Sequence, residues 1–226
     1  MEDSIIRDTV PVQPDIQHTA AVVVDIQGDF TELKNGSLAV QGTDKNYIDM
    51  VSNETQKLKS AGYKIFATQD MHPEGHISFH TSHHGRKPYE ILELEGRTQV
   101  LWPPHCIKNT PNADILIDRN MFCAVVEKGT DPEYDSYSGF FDDNGRPTGL
   151  ENILKAEEID TIIVYGLATD YCVKATAMDG VKSGFRVIVI KGLCRGVAQD
   201  TSLAAIKEMN EAGIKIVSSL SKIIEN

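Results

Sequence analysis

Apolar residues along the chain gather into short continuous runs: AAVVV at 20–24, YKIFAT at 63–68, CAVVE at 123–127, TIIVY at 161–165, FRVIVI at 185–190 and IKIV at 214–217. Runs without polar alternation suit strands covered on both faces, as in a parallel sheet. Six strands are predicted. Between them, residues 44–61 repeat apolar side chains at the helical period ahead of Gly62, and 150–158 reads as a short helix. Residues 170–183 and 198–212 read as helices closed by Gly184 and Gly213. A βαβ succession with right-handed crossovers places helices on both sides of the sheet. The expected fold is therefore a three-layer α/β/α doubly wound domain with a six-stranded, mainly parallel sheet.

One segment breaks this rhythm. Residues 69–121 are polar, rich in His, Pro and Gly, and weakly periodic. An insertion of that length in a compact domain is usually functional. With no repeat, linker or low-complexity stretch, residues 1–226 read as one domain that begins with an N-terminal extension over 1–19.

Composition narrows the range of partners. The chain is 41% hydrophobic and 24% charged, ordinary values for a globular protein, but its formal net charge is −11. That balance argues against nucleic acid and against an anionic membrane surface. Residues 1–19 contain no continuous apolar core of a signal peptide, and no apolar run approaches the roughly 20 residues of a membrane span. An intracellular, cytoplasmic protein acting on a small molecule is expected, with a homo-oligomer left open. Cys106, Cys123, Cys172 and Cys194 lie far apart and form neither a disulfide framework nor a CxxC pair.

In an open α/β sheet, ligands bind outside the carboxyl ends of the strands, so the residues just after each apolar run carry the most information. The first run ends at Asp25, the second at Gln69 and Asp70, the third at Lys128, and the fourth at Gly166 followed by LATDYC. Any one of these is unremarkable, since an Asp after a strand often forms a turn and a lysine is usually solvated. Together they converge an acid, a lysine and a thiol on one edge, which suits nucleophilic catalysis. Thr169 or Asp170 is placed to cap the helix that follows, putting Cys172 in its first turn, where free N–H groups and the helix dipole favour a thiolate. Cys123, inside a predicted strand, reads as core. Cys194 lies in the glycine-flanked turn KGLCRG.

The insertion opens with QDMHPEGH and later contains WPPHC. Asp70 and His72 can face one ion from a single turn, and His105 on a proline-fixed loop can add a third ligand. One carboxylate and two imidazoles leave open positions, the pattern of a catalytic metal site. His76 is near enough to compete as a ligand, whereas HTSHHGRK reads as an exposed loop.

VVDIQGDF (23–30), QDMHPEGHISF (69–79), LWPPHC (101–106), EKGTDPEYDSYSGF (127–140) and YGLATDYCV (165–173) resemble, in order and spacing, the motifs of the nicotinamidase family of isochorismatase-like cysteine hydrolases. The likeness runs from about residue 20 to residue 217. It implies that Cys172 is the nucleophile, Asp25 its proton acceptor and Lys128 the third member of a triad. It implies a cis peptide at Leu167-Ala168, an oxyanion site at the N–H groups of Ala168 and Cys172, and a divalent metal on Asp70, His72 and His105. Zinc is the expected ion, with iron or manganese as alternatives. Phe30, Trp102 and Tyr137 fall on the family's aromatic pocket. The implied activity is hydrolysis of nicotinamide to nicotinate and ammonia through a thioester, in NAD salvage. Two departures stand out: the metal-loop position of His76, and Cys194 where relatives commonly carry a small hydroxyl residue. The competing readings are a metal-independent amidase or an isochorismatase-like hydrolase of the same fold and, from another class, a non-catalytic binding protein.

Overall fold

A computed structural model describes residues 14–94 and 96–224. Residues 1–13 of the expected N-terminal extension lie outside the described residues, and the extension ends in a short 3-10 turn at Ile16–His18. The main sheet comprises β1 (Thr19–Val24), β2 (Lys64–Asp70), β5 (Ala124–Lys128), β6 (Thr161–Gly166), β7 (Arg186–Ile190) and β8 (Lys215–Val217). Their spatial order is β5-β2-β1-β6-β7-β8, and every pairing is parallel. The apolar runs are buried as their lack of alternation requires: β1 and β6 are buried at every residue.

Among the described residues, four α-helices connect the strands: α1 (Lys45–Ser60), α2 (Leu150–Ala156), α3 (Lys174–Lys182) and α4 (Gln199–Glu211). Helix α1 starts where the Asp44 carboxylate accepts the Tyr47 N–H at 3.0 Å. Such a cap contributes about 1 kcal/mol. Tyr47, Ile48, Val51, Thr55 and Leu58 form the buried face of α1. Full burial of a side chain such as Leu58 contributes about 1.5–3 kcal/mol. Helix α3 presents the small residues Thr176, Ala177 and Gly180 to the interior.

Two expectations change. Within the insertion, β3 (Ile91–Leu94) and β4 (Arg97–Val100) pair antiparallel as a separate hairpin. With only four residues alternating between exposed and half-buried positions, β3 is too short a pattern to stand out in the sequence. Cys123 is exposed rather than core. It lies one residue ahead of the edge strand β5, its N–H bonded to Ile65 O at 2.7 Å and its side chain outside the packed layer.

Chain order runs outward from β1 through β2 to β5 on one side and from β6 through β7 to β8 on the other. The reversal between β1 and β6 leaves a crevice at their carboxyl ends, where α/β sheets bind ligands. Among the described residues, no helix is long and apolar enough to cross a membrane.

Candidate active site

The strand ends deliver Asp25, Asp70, Lys128 and Cys172 to that crevice. The register of β2 against β5 sets Asp70 opposite Lys128. Asp25 follows β1 in a left-handed backbone conformation (φ 47°) and is completely buried. Its Oδ1 accepts the Thr68 hydroxyl at 2.6 Å, and its Oδ2 lies 3.0 Å from Lys128 Nζ. Lys128 is also inaccessible; its Nζ donates to Asp70 Oδ1 at 2.5 Å and to Ser136 O at 2.7 Å, and lies 3.6 Å from Cys172 Sγ. The hydrogen bonds of Nζ thus go to the Asp70 carboxylate, the Ser136 carbonyl and the Cys172 sulfur, while Asp25 Oδ2 faces the ammonium as an ion pair and is buried without a hydrogen-bond partner. A buried ammonium is stable only in such company.

Burial pulls against the Lys128 charge, but Asp25 and Asp70 more than offset it, so the lysine remains an ammonium. For Asp25, burial pushes the carboxyl above its usual range against the opposing pull of Lys128. Burial acts on Asp70 in the same sense, yet Lys128 and then His72 hold it well below the ordinary carboxylate range. The two acids are therefore driven apart: Asp70 is a permanent anion, and Asp25 is the one able to take up a proton.

Cys172 lies in a single turn, Thr169–Val173, ahead of α3, with Val173 N–H bonded to Ala168 O five residues back. Wide turns of this type are frequent at functional sites. The Leu167-Ala168 peptide is cis. Burial raises the Cys172 thiol far above its ordinary value, with Asp25 and Asp70 adding to the rise and Lys128 opposing it. The expected thiolate is corrected accordingly. The sulfur rests as a thiol, because desolvation and two nearby anions outweigh the N–H groups of its turn. Nor does Asp170 cap its own helix: its carboxylate binds the start of α4.

Beside this group, ligand atoms of Asp70, His72 and His105 all lie within 4.8 Å of one another, and the residues are buried. His72 Nδ1 donates to Gly129 O at 2.9 Å, which leaves Nε2 as the ring nitrogen turned toward Asp70. That Nε2 is buried without a hydrogen-bond partner, 3.7 Å from Asp70 Oδ2. Ligand pairs around a tetrahedral zinc stand roughly 3.3–3.6 Å apart for bonds near 2.0–2.2 Å, so this orphaned nitrogen and carboxylate fit an ion between them. Burial pulls the His105 imidazole below its ordinary range, toward the neutral form a metal requires. Gly129 makes room for the His72 ring: at φ +64°, a Cβ there would fall 2.4 Å from His72 Cε1.

The WPPHC loop is fastened from two sides. Asp29 Oδ2 accepts the Cys106 N–H at 2.7 Å, Ser37 Oγ donates to Pro104 O at 2.8 Å, and His72 N–H donates to Cys106 O at 2.9 Å. Phe79, buried in the same layer, sets its ring 5.5 Å from those of both His72 and His105. His76 also stacks on His72 at 4.3 Å, but its nitrogens are engaged by Ser78 Oγ at 2.7 Å and Tyr134 O at 3.1 Å.

A cleft opens over Cys172, Asp70, His105 and Ala168, walled by Phe30, Trp102 and Tyr137. Trp102 Nε1 donates to the Tyr137 hydroxyl at 2.9 Å, locking two walls together. Tyr171, Leu38, Asp135 and Val197 are among the further lining residues and carry no role in the sequence reading. Tyr171 stands next to Cys172 inside a motif and was recoverable; Leu38 and Val197 have no local signature.

A parallel-sheet switch point that buries a thiol, an ammonium and a carboxylate side by side is the arrangement of a three-layer α/β enzyme equipped for nucleophilic chemistry. The chain belongs to the isochorismatase family, whose domain profile matches residues 19–221. It is 43% identical over 201 residues to a nicotinamidase of Escherichia coli, covering 86% of this chain and 92% of that one. A solved structure of PnC1 from L. infantum in complex with nicotinate superposes with a TM-score of 0.81 at 31% identity, covering 95% of this chain and 99% of that one. A pyrazinamidase of Pyrococcus horikoshii in complex with zinc superposes at 0.74 and 35% identity, covering 88% and 98%.

Proposed function

We propose that this chain is a nicotinamidase, hydrolysing nicotinamide to nicotinate and ammonia in the cytoplasm as a step of NAD salvage. The observation that carries this reading is the joint burial of Cys172, Lys128 and Asp25 beside Asp70, His72 and His105 at the floor of an aromatic cleft. A flat neutral carboxamide fits between Phe30 and Trp102, with Tyr137 at its edge. A divalent metal held by Asp70, His72 and His105, zinc by the chemistry of the donors, would supply a Lewis-acidic partner for the lone pair of a ring nitrogen.

The remaining steps use the chain's own groups. Asp25 accepts the Cys172 proton as sulfur attacks the amide carbon. The resulting oxyanion is received by the N–H groups of Ala168 and Cys172, each such donor typically worth about 3 kcal/mol. Asp25 returns the proton to the departing nitrogen, ammonia leaves, and a thioester remains. Water then adds to the thioester with Asp25 again as base, giving nicotinate and restoring the thiol. Lys128 offsets the negative charge shared by Asp25 and Cys172 throughout. The relatives named as metal-bound and nicotinate-bound support this reading over a metal-independent amidase, which would have no use for the orphaned His72 nitrogen. Incubation with nicotinamide, with and without a chelator, is expected to release nicotinate and ammonia in equal amounts only when metal is present. Turnover undiminished by complete chelation, or none in the metal-loaded protein, overturns the proposal.

A further inference from the structure

Asp170 is a nearly inaccessible carboxylate, 6% exposed, two residues before the sulfur. No step of the proposed reaction uses it. Its Oδ1 accepts the N–H of Val197 at 2.9 Å; its Oδ2 accepts the N–H of Ala198 at 3.2 Å and the Thr201 hydroxyl at 2.5 Å. These donors form the N-terminus of α4, whose own cap position, Ala198, has no side chain able to accept a hydrogen bond. The missing cap is provided by a residue of the nucleophile turn.

A buried anion without a cation is tolerated when several donors and the positive end of a helix converge on it, as here. The same turn is held at a second point, where Thr169 N–H donates to Arg195 O at 2.9 Å. The fit between the two pieces is close: a Cβ on Gly196 would lie 1.7 Å from Ser202 Oγ and 3.2 Å from Asp170 Oδ1. Val197, fixed through its N–H, is half exposed and lines the cleft.

We propose that Asp170 is a positioning residue for the reaction, one carboxylate clamping both the turn that aims Cys172 and the Val197 wall of the substrate cleft. The inference rests on the hydrolase reading for its kinetic consequences, but the clamp itself is geometric. Replacing the carboxylate with a carboxamide leaves one acceptor for three donors and turns an NH2 group toward one of them. The turn then loses its hold on α4, and two kinetic quantities move together. The sulfur is misaligned with Asp25 and Lys128, lowering kcat. The cleft loses a fixed wall, raising KM.

The test compares the parent, Asp170→Asn and the milder Thr201→Val, which keeps the carboxylate and both backbone donors and removes only the hydroxyl. Each is loaded with metal, its folded fraction is measured by thermal melting, and Cys172 alkylation by iodoacetamide is followed against pH by peptide mass spectrometry, which separates it from the exposed Cys123. The expected result for Asp170→Asn is a fall in kcat of tenfold or more, a rise in KM of several-fold, and a changed pH profile of Cys172 alkylation in protein that remains folded. Thr201→Val is expected to move the same quantities in the same directions by a smaller factor. An alkylation profile identical to the parent in folded Asp170→Asn overturns the clamp, as does a loss of activity that merely tracks the unfolded fraction in both variants. Alkylation is read without substrate, so a parent that fails on nicotinamide counts against the proposed function and leaves the clamp tested on its own terms.

Discussion

Replacing Lys128 with methionine, of similar length and no charge, isolates the electrostatic centre of the site. Its Nζ stands 3.0 Å from Asp25 Oδ2 and 2.5 Å from Asp70 Oδ1, all inaccessible to water. At an effective dielectric of about 20, a unit pair at the longer separation is worth about 5.5 kcal/mol. That corresponds to about four pK units on the acid that loses its partner. Two buried carboxylates left without a cation cannot both stay ionised, and the one to take a proton is Asp25, already raised by burial, while Asp70 retains His72. Asp25 accepts the thiol proton only when ionised, so activity is present above its pKa and is lost as pH falls through it. Raising that pKa moves the acidic limb of kcat/KM to higher pH and places neutral pH on the failing side. The expected loss at pH 7 is about 10²–10⁴-fold, the usual contribution of a positioned acid–base group. A further cost of about 3–5 kcal/mol in stability is expected from breaking a buried ion pair. The assay is ammonia release across pH, normalised to the folded fraction from a melting curve. A folded Lys128→Met protein with the parent's acidic limb and activity within tenfold would refute the reasoning.

Two other outcomes follow from the same geometry. Gly129→Ala places a methyl group against the His72 ring and strains a left-handed position, so elemental analysis after dialysis should show metal content well below one ion per chain; full retention contradicts the role given to Gly129. Burial lifts the thiols of Cys172 and Cys106, and that of Cys194 to about 12, so the folded chain holds these protons more tightly than the unfolded one. Stability from these groups is complete below pH about 8.5 and declines as pH rises beyond it. The urea midpoint should be lower at pH 10 than at pH 7, and an unchanged or higher midpoint would contradict the direction.

Most of this was legible because its signal is local. Continuous apolar runs imply buried parallel strands, and the residue ending each run is carried to the same edge by parallel pairing, so Asp25, Asp70, Lys128 and Gly166 announce the site without any coordinates. What escaped depends on burial and on contacts distant in sequence. The protonation state of Cys172 is set by desolvation and by Asp25 and Asp70, which a reading of its own turn does not weigh. The position of Cys123 just outside β5 is a one-residue boundary effect. Asp170 reads as the cap of the next helix in sequence, yet in space it caps the one after, 27 residues on. His76 could be weighed as a ligand only once Ser78 and Tyr134 were seen to occupy both its nitrogens.

The most direct measurement is rapid quenching of the metal-loaded protein with nicotinamide, followed by mass spectrometry of the peptide that contains Cys172. A nicotinoyl group should appear on Cys172 within the first turnover and disappear as nicotinate accumulates, and Cys172→Ala should yield neither adduct nor ammonia. Steady release of ammonia with Cys172 unmodified at every time point, or ammonia release from the alanine variant within tenfold of the parent, would contradict covalent catalysis at this sulfur.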